Sequence, residues 1–126
     1  MNSEVTLELK HGEGNPRNSE GSFVNLKNGE ILYAYSRFRG ESGSDHGTAD
    51  IAARRSADGG RSWSEDDTIV IENEGDQNIM SVSLLRLQDD RLAMLYMVKN
   101  SWLDCRPRLR TSSDEGQTWS DPRRCI

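Results

Sequence analysis

The chain has 126 residues, of which 33% are hydrophobic and 29% are charged, and its formal net charge is −5. This acidic balance argues against nucleic acid and anionic membrane surfaces as partners, because both repel negative charge. No stretch approaches the roughly 20 apolar residues of a membrane-spanning helix, and the start "MNSEVTLELK" lacks the basic and apolar regions of a signal peptide. The sequence therefore predicts a cytoplasmic chain as given, or a secreted or periplasmic one if the natural N-terminus is missing.

The first predicted elements in chain order are two strands, "GSFVNL" and "EILYAYSRF", joined by a polar turn that includes "KNG". Their apolar residues alternate with polar ones, as in half-buried strands. A polar loop, a third strand in "DIAARRS", the octet "SADGGRSW" and a further segment beginning at the tryptophan follow. These elements predict a four-stranded antiparallel unit over about 17–70.

The second half of the chain repeats this order. The strands "SVSLLRL" and "LAMLYMVK" flank a polar turn, and "RPRLRTS" leads to the octet "SSDEGQTW", which begins 56 residues after the first octet. A four-stranded unit that recurs in this way is typical of β-propeller blades. The sequence thus predicts an all-β fold over 1–126, with blade one at about 17–70, blade two at about 78–126 and almost no helix. Because a closed propeller needs about four to eight blades, these two require the remaining blades of a larger propeller.

Both octets follow the pattern S-x-D-x-G-x-S/T-W and are predicted to be hairpin loops between the third and fourth strands. An aspartate beside hydroxyl groups and a tryptophan looks like an active site, but each position also has a structural explanation. The glycine permits the turn, the aspartate accepts hydrogen bonds from amides of its own turn, and the tryptophan packs on the blade. The structural role is therefore favoured. The residues concerned are Ser56, Asp58, Gly60, Ser62 and Trp63 in the first octet, and Ser112, Asp114, Gly116, Thr118 and Trp119 in the second.

The order of the strands separates two faces of the fold. The loop 38–49, the end of the second strand at Arg37 and the residues around Arg17 are expected at one end, which we name the top face. Both octets are expected at the opposite end, the bottom face. Any ligand site on the top face is therefore separate from the octets.

The octet pattern resembles the Asp-box, or bacterial neuraminidase repeat, of the sialidase superfamily. Its occurrence at the equivalent place in both units makes the resemblance specific. The resemblance implies that the chain is the N-terminal portion of a six-bladed sialidase-like propeller. It also implies a site on the top face.

The site residues that the resemblance implies are two arginines and an aspartate. In sialidases, an arginine just before the first inner strand binds the sialic acid carboxylate. Arg17 in "NPRNS" matches this position, although "RNS" replaces the usual Arg-Ile-Pro motif. A second arginine ends strand two and matches Arg37, with Arg39 as a near rival. The acid/base aspartate of the following loop matches Asp45, with Asp50 as the fallback.

These residue types suit the chemistry of a sialoside. Guanidinium groups pair with its permanent carboxylate, and a partly desolvated loop aspartate with a raised pKa can protonate the leaving oxygen. Weaker candidates on the top face of blade two are Asn78, Met80 and Ser81, for contacts with the acyl group of the sugar, and Trp102 at the border of the cleft.

The tyrosine nucleophile that the resemblance implies belongs to a later blade. Tyr33, Tyr35 and Tyr96 fall inside second strands and are interpreted as packing residues.

The sequence therefore predicts the first two blades of a retaining exo-α-sialidase, or of a close glycoside hydrolase relative, that is inactive without the rest of its propeller. Its partner would be a sialylated glycan or another carbohydrate. The alternative is a non-catalytic propeller that binds glycan or protein and uses the octets only as scaffold. A hydrolase of another sugar is the third hypothesis. No cofactor is predicted, and the spacing of the two cysteines and two histidines predicts no metal site.

Cys105 and Cys125 lie ten residues on either side of Glu115, where the second octet is expected to turn. The two cysteines are therefore predicted to lie almost opposite each other, with Cα atoms within about 7 Å. A thiol pair and a cross-strand disulfide both fit this prediction. The lack of a signal sequence favours thiols.

Overall fold

The computed structural model describes residues 2–126, which form eight strands and contain no helix that could cross a membrane. The first antiparallel sheet consists, in chain order, of β1 (Asn18–Asn25), β2 (Ile31–Phe38), β3 (Ala49–Ser56) and β4 (Thr68–Ile71). The second sheet has the same order, with β5 (Asn78–Arg86), β6 (Leu92–Lys99), β7 (Cys105–Ser112) and β8 (Arg123–Arg124). The predicted fold of two four-stranded antiparallel meanders is confirmed.

The hydrophobic core lies between the two sheets. Side chains alternate along each strand, so every second residue of β2 and β6 contributes to this core while its neighbours point the other way. The first sheet supplies Leu26, Leu32, Ala34, Ile51, Ala53 and Ile71, and the second sheet supplies Ile79, Val82, Leu84, Leu92, Met94, Tyr96 and Val98.

The outer face of each sheet includes exposed apolar side chains. Phe23 is 67% exposed on the first sheet, and Leu85 is 62% exposed on the second. On the first sheet, residues 4–9 run beside a cleft of about 680 Å³ that Tyr33 and Trp63 help to line. Apolar faces of this kind are covered by neighbouring blades in repeat proteins, so both outer faces suit further blades.

Each octet folds into a turn that is closed by its own side chains. Asp58 Oδ1 accepts a hydrogen bond from the Ser62 amide at 2.8 Å, and Asp58 Oδ2 accepts one from the Ser62 hydroxyl at 2.5 Å. The Ser56 hydroxyl donates to Asp58 Oδ1 at 2.9 Å and accepts from the Gly60 amide at 2.8 Å. Gly60 has a φ of 87°, a conformation that glycine adopts without steric cost.

The second octet repeats this geometry almost atom for atom. Asp114 accepts from the Thr118 amide at 2.9 Å and from its hydroxyl at 2.5 Å, and the Gly116 amide donates to the Ser112 hydroxyl at 2.9 Å. The fixed polar positions of both octets are thus occupied by bonds within the turn. Both octets lie on the bottom face, between the third and fourth strands of their sheets.

Glu115 of the second octet connects the two sheets on the bottom face. Its carboxylate accepts hydrogen bonds from Arg86 at 2.5 and 2.7 Å and from the Lys27 amide at 2.6 Å. Arg86 also donates to the Asn25 carbonyl at 3.0 Å. The second octet therefore holds the β1–β2 turn of the first sheet as well as its own hairpin.

The prediction for the two cysteines is wrong by two residues in register. Arg108 pairs with Arg124 in the β7–β8 ladder, and the Cys125 amide donates to the Pro107 carbonyl at 3.3 Å. Cys125 therefore lies across from Pro107 rather than Cys105, because the turn centres on Gly116 instead of the preceding residue. Both cysteines are exposed free thiols.

We expect the octet carboxylates to stabilise the fold only while they are ionised. Hydrogen bonds, first of all from the side chains of Ser62 and Thr118, lower the pKa of Asp58 and of Asp114 to about 2. An aspartate in an unfolded chain has a pKa of about 3.9. Because the pKa is lower in the folded state, this stabilisation is fully present above about pH 4 and is lost as the pH falls towards about 2.

Asp58→Asn and Asp114→Asn should therefore lower the midpoint of thermal unfolding at neutral pH and have little effect near pH 2. Asp66→Asn removes an exposed carboxylate of the same loop and serves as the control, with an unchanged midpoint at both pH values. An equal loss at neutral and acidic pH would show that the charge of the octet carboxylate contributes nothing.

Candidate functional site

The candidate site lies on the top face, where loops of both sheets meet. It combines the residues that precede β1, the β2–β3 loop, the start of β5 and the β6–β7 loop. Hydrogen bonds join these segments: the Phe38 amide donates to the Arg17 carbonyl at 2.9 Å, and Asn78 donates to two carbonyls of the β2–β3 loop. The site is therefore built jointly by the two sheets.

The structure brings Arg17 and Asp45 into direct contact. Arg17 Nη1 donates to Asp45 Oδ1 at 2.5 Å, and its guanidinium lies over the Phe38 ring, 4.6 Å from the centroid. Glu20 is a second carboxylate at 4.0 Å from Arg17. The side chain of Asp45 is 64% exposed, whereas that of Arg17 is only 28% exposed. Arg17 is thus held in place, and Asp45 lies on its solvent side.

The charge state of Asp45 differs from the sequence-based expectation. The hydrogen bond and the positive charge of Arg17 lower the pKa of Asp45 below its usual value, and Lys99 and His46 add to this effect. A raised pKa was expected for an acid catalyst. Without a ligand, Asp45 is instead an ionised carboxylate that neutralises Arg17.

Arg37 is directed away from this pair. Its Nε donates to Asp67 Oδ2 at 3.1 Å, and Asp67 also accepts hydrogen bonds from Arg54 at 2.7 Å and from the Tyr35 hydroxyl at 2.5 Å. Arg37 lies on the same side of β2 as Tyr35. Phe38, whose ring packs against the Arg17 guanidinium, lies on the other side. The structure does not bring Arg37 together with Asp45.

Arg39 and Asp50 form a separate ion pair. Arg39 Nε donates to Asp50 Oδ2 at 2.9 Å, and the Asn73 amide donates to Asp50 Oδ1 at 2.8 Å. Asp50 is buried with both oxygens occupied, whereas the side chain of Arg39 is 51% exposed. Arg39 is therefore the more accessible of the two candidates for the second guanidinium.

The three weaker candidates of β5 occupy different environments. Asn78 is 0% exposed, and its amide faces the loop that carries Asp45 rather than solvent. Met80 is half-buried, and Ser81 is exposed at a register shift of β5 with a φ of 58°. Of these residues, Ser81 and Met80 retain a surface that a ligand could reach.

Sequence reasoning did not identify the contacts around His46. Its Nδ1 lies 3.0 Å from Gln77 Oε1, and its ring centroid lies 3.9 Å from that of Trp102. Lys99 Nζ donates to the Asp45 carbonyl at 3.1 Å and lies 5.8 Å from the Trp102 ring. Trp102 is 79% exposed, so the site includes an aromatic surface next to the loop of Asp45.

No metal site accompanies these residues. Within residues 2–126, no group of three or more His, Cys, Asp or Glu side chains is arranged to hold a metal ion. The charged pair of the site consists of the Arg17 guanidinium and the exposed carboxylate of Asp45.

The sequence model of the BNR repeat-like domain matches residues 29–126, most of the chain. No curated protein matches the sequence significantly. Among solved structures, a protein of unknown function from Dyadobacter fermentans superposes with a TM-score of 0.72 and 17% identity, over 90% of this chain and 37% of its own.

Two sialidases also share the fold. A Hadza microbial sialidase has a TM-score of 0.72 and 16% identity, over 88% of this chain and 26% of its own. The Trypanosoma rangeli sialidase, solved as a covalent intermediate with 2,3-difluorosialic acid, has a TM-score of 0.57 and 19% identity, over 86% of this chain and 20% of its own. The chain thus spans 20% to 37% of the length of these three structures, and the likeness establishes the fold of two propeller blades.

We expect Arg17→Met to raise the pKa of Asp45, because the substitution removes its hydrogen-bond donor and its nearest positive charge. The side-chain carboxyl carbon of Asp45, followed by NMR during a pH titration, reports this change. Arg106→Met removes an exposed arginine that pairs with Asp104 and should leave the titration of Asp45 unchanged. An unaltered pKa of Asp45 in Arg17→Met would contradict the ion pair.

Proposed function

Since this chain belongs to the family of BNR repeat-like domains, we propose that it forms the carboxylate-binding and proton-donating part of a sialidase-like glycoside hydrolase. The whole protein would cleave terminal sialic acid from glycoconjugates with retention of configuration. The observation that carries this proposal is the direct pairing of Arg17 with Asp45 on the top face. An arginine that already binds a carboxylate has the geometry to bind the carboxylate of a sialoside.

The mechanism begins with an exchange of carboxylates at Arg17. The sialoside carboxylate takes the guanidinium, and Asp45 loses the partner that keeps its pKa low. The bound carboxylate also places a negative charge near Asp45, which raises the pKa of Asp45 further. Lys99 and His46 remain nearby and oppose the rise in part. Asp45, which is exposed, then takes up a proton from solvent and changes from an ionised partner of Arg17 into a protonated acid.

Asp45 then acts as the general acid. It transfers its proton to the leaving oxygen as the glycosidic bond breaks, and it accepts a proton from water when the sugar–enzyme intermediate is hydrolysed. Its exposed side chain, on a loop whose backbone is held by the second sheet, suits this role. Arg39, on the top face, is the better supported second guanidinium, because its side chain is 51% exposed and that of Arg37 is only 27% exposed.

The nucleophile comes from the remaining blades of the whole protein. Tyr35 and Tyr96 donate their hydroxyl hydrogens to Asp67 and Glu74, and Tyr33 packs above Gly21. None of these three tyrosines contacts Arg17 or Asp45 in the described structure. The two blades alone would therefore bind a sialoside weakly and would not hydrolyse it.

A second candidate function is a non-catalytic propeller that binds glycan or protein. Asp45 is ionised in the ligand-free site. This favours the non-catalytic propeller, because an Arg17–Asp45 pair that never separated would be a structural contact and would leave no proton donor. Both functions are compatible with the exposed Trp102 beside the site. They differ in whether a bound glycan is hydrolysed.

The test is hydrolysis of a sialoside by the whole protein. We expect turnover, and Asp45→Asn should lower kcat/KM for a substrate with a poor leaving group by about 10²- to 10⁴-fold, the range of general acid catalysis. Asp121→Asn, at an exposed aspartate after the second octet, is the matched control. Binding of a sialylated glycan without any turnover would replace the enzyme with the binding module.

The role of Arg17 is tested by changing both partners of the proposed ion pair. Arg17→Met should raise KM for a sialoside by roughly ten- to hundredfold, the value of a charge-assisted hydrogen bond. The same substitution should have little effect on a sialoside amide, which has no carboxylate. Arg91→Met breaks an exposed ion pair on the bottom face and should change neither KM. Equal losses on the carboxylate and the amide would contradict carboxylate binding by Arg17.

A further inference from the structure

Asn78 connects the second sheet to the loop that carries Asp45. It is the first residue of β5 and is 0% exposed. Its Nδ2 donates to the Asp45 carbonyl at 2.9 Å and to the Gly47 carbonyl at 2.9 Å. Both partners are backbone carbonyls, which can only accept, so the orientation of the amide is determined by its contacts.

The other end of the amide has a cost for the stability of the fold. Asn78 Oδ1 is buried and has no hydrogen-bond partner. A buried acceptor without a donor destabilises a fold, and buried polar groups rarely remain in this state. Leucine would avoid the unpaired oxygen, but the Gly47 carbonyl would lose the donor from Asn78 and the Asp45 carbonyl would keep only the donor from Lys99. The fold thus retains an unpaired oxygen at the residue whose amide group donates two hydrogen bonds to the loop of Asp45. A locally unfavourable group of this kind is typical of functional sites.

The rest of the loop is a tight turn at the surface. The Gly47 amide donates to the Ser44 carbonyl at 2.9 Å, and a Cβ on Gly47 would lie 2.4 Å from the Ser42 carbonyl oxygen. Lys99 adds a third donor from the second sheet, to the Asp45 carbonyl. The backbone of Asp45 is therefore held by β5 and β6, while its carboxylate is held by Arg17 alone.

This separation matters when a ligand binds. The contacts of Asn78 are made to backbone atoms, so they persist if the carboxylate of Asp45 leaves Arg17. We propose that Asn78 is a positioning residue that keeps Asp45 in place, through these two backbone hydrogen bonds, while its carboxyl group exchanges partners and donates a proton. The catalytic part of this inference rests on the proposed function of Asp45.

The kinetic test compares two leaving groups in the whole protein. A general acid matters most when the leaving oxygen is basic, as in a sugar or alkyl alcohol, and least for an activated aryl group. Asn78→Leu should lower kcat by about tenfold or more on a sialylated disaccharide and far less on an aryl sialoside with an acidic phenol, the pattern expected of Asp45→Asn. Asn78→Ser keeps one donor and should fall between the wild type and Asn78→Leu.

The control is Ser22→Ala. The Ser22 hydroxyl accepts a hydrogen bond from the Leu84 amide at 3.0 Å, so it also joins the two sheets, but it does not contact the loop of Asp45. This variant should change both substrates equally. Equal losses on both substrates in Asn78→Leu would mean that Asn78 only stabilises the interface, and the proposal would be overturned.

A second measurement does not depend on catalysis. Hydrogen exchange should become faster at the Gly47 and Arg39 amides, which are hydrogen-bonded within the loop, in Asn78→Leu and in the nearly isosteric Asn78→Asp. The amides of the β2–β3 ladder should stay protected, which also shows that the variants are folded. Unchanged exchange in the loop would overturn the proposal. Faster loop exchange in a protein without sialoside turnover would refute the proposed function and leave the hold of Asn78 on the loop established.

Discussion

The carboxylate of an octet aspartate is the constraint on which the rest of this structure depends. Asp58 closes the turn between β3 and β4 with hydrogen bonds to the amide and the hydroxyl of Ser62, and Asp114 does the same after β7. These turns determine where each third strand ends. Since strands run from one face of a blade to the other, an octet on the bottom face places the β2–β3 loop, with Asp45, on the top face.

Apolar packing joins the two sheets, and polar contacts at both ends of the interface determine how they are aligned. Hydrophobic burial has no preferred direction, so the core between the sheets does not by itself specify a rotation. On the bottom face, Glu115 connects Arg86 with the Lys27 turn. On the top face, Asn78 connects β5 with the loop of Asp45. The candidate site therefore depends on the relative placement of the two blades.

The pairing of Arg17 with Asp45 links the structure to the proposed chemistry. A guanidinium in a ligand-free site needs a counter-charge, and here the proposed acid supplies it. The same contact keeps the pKa of Asp45 low until another carboxylate arrives. Asp45 would thus become protonated only when a carboxylate-bearing ligand binds. The exchange at Arg17 would therefore help to select the substrate as well as to orient it.

Local patterns in the sequence determined the fold and part of the site. The alternation of apolar residues and the repeated octet are properties of neighbouring residues, so they predicted two four-stranded meanders and the separation of Asp45 from the octets. The alternation of side chains along β2 also predicts the environment of Arg37. This residue lies on the same side of the strand as Tyr33 and Tyr35, and the structure places it beside Asp67. Only the tertiary structure decided the burial of Asn78, the contacts of Lys99 and the register of Cys125. These features depend on register shifts, on the centre of a turn and on hydrogen bonds between residues more than thirty positions apart, such as Asn78 and Asp45, and no local periodicity records them.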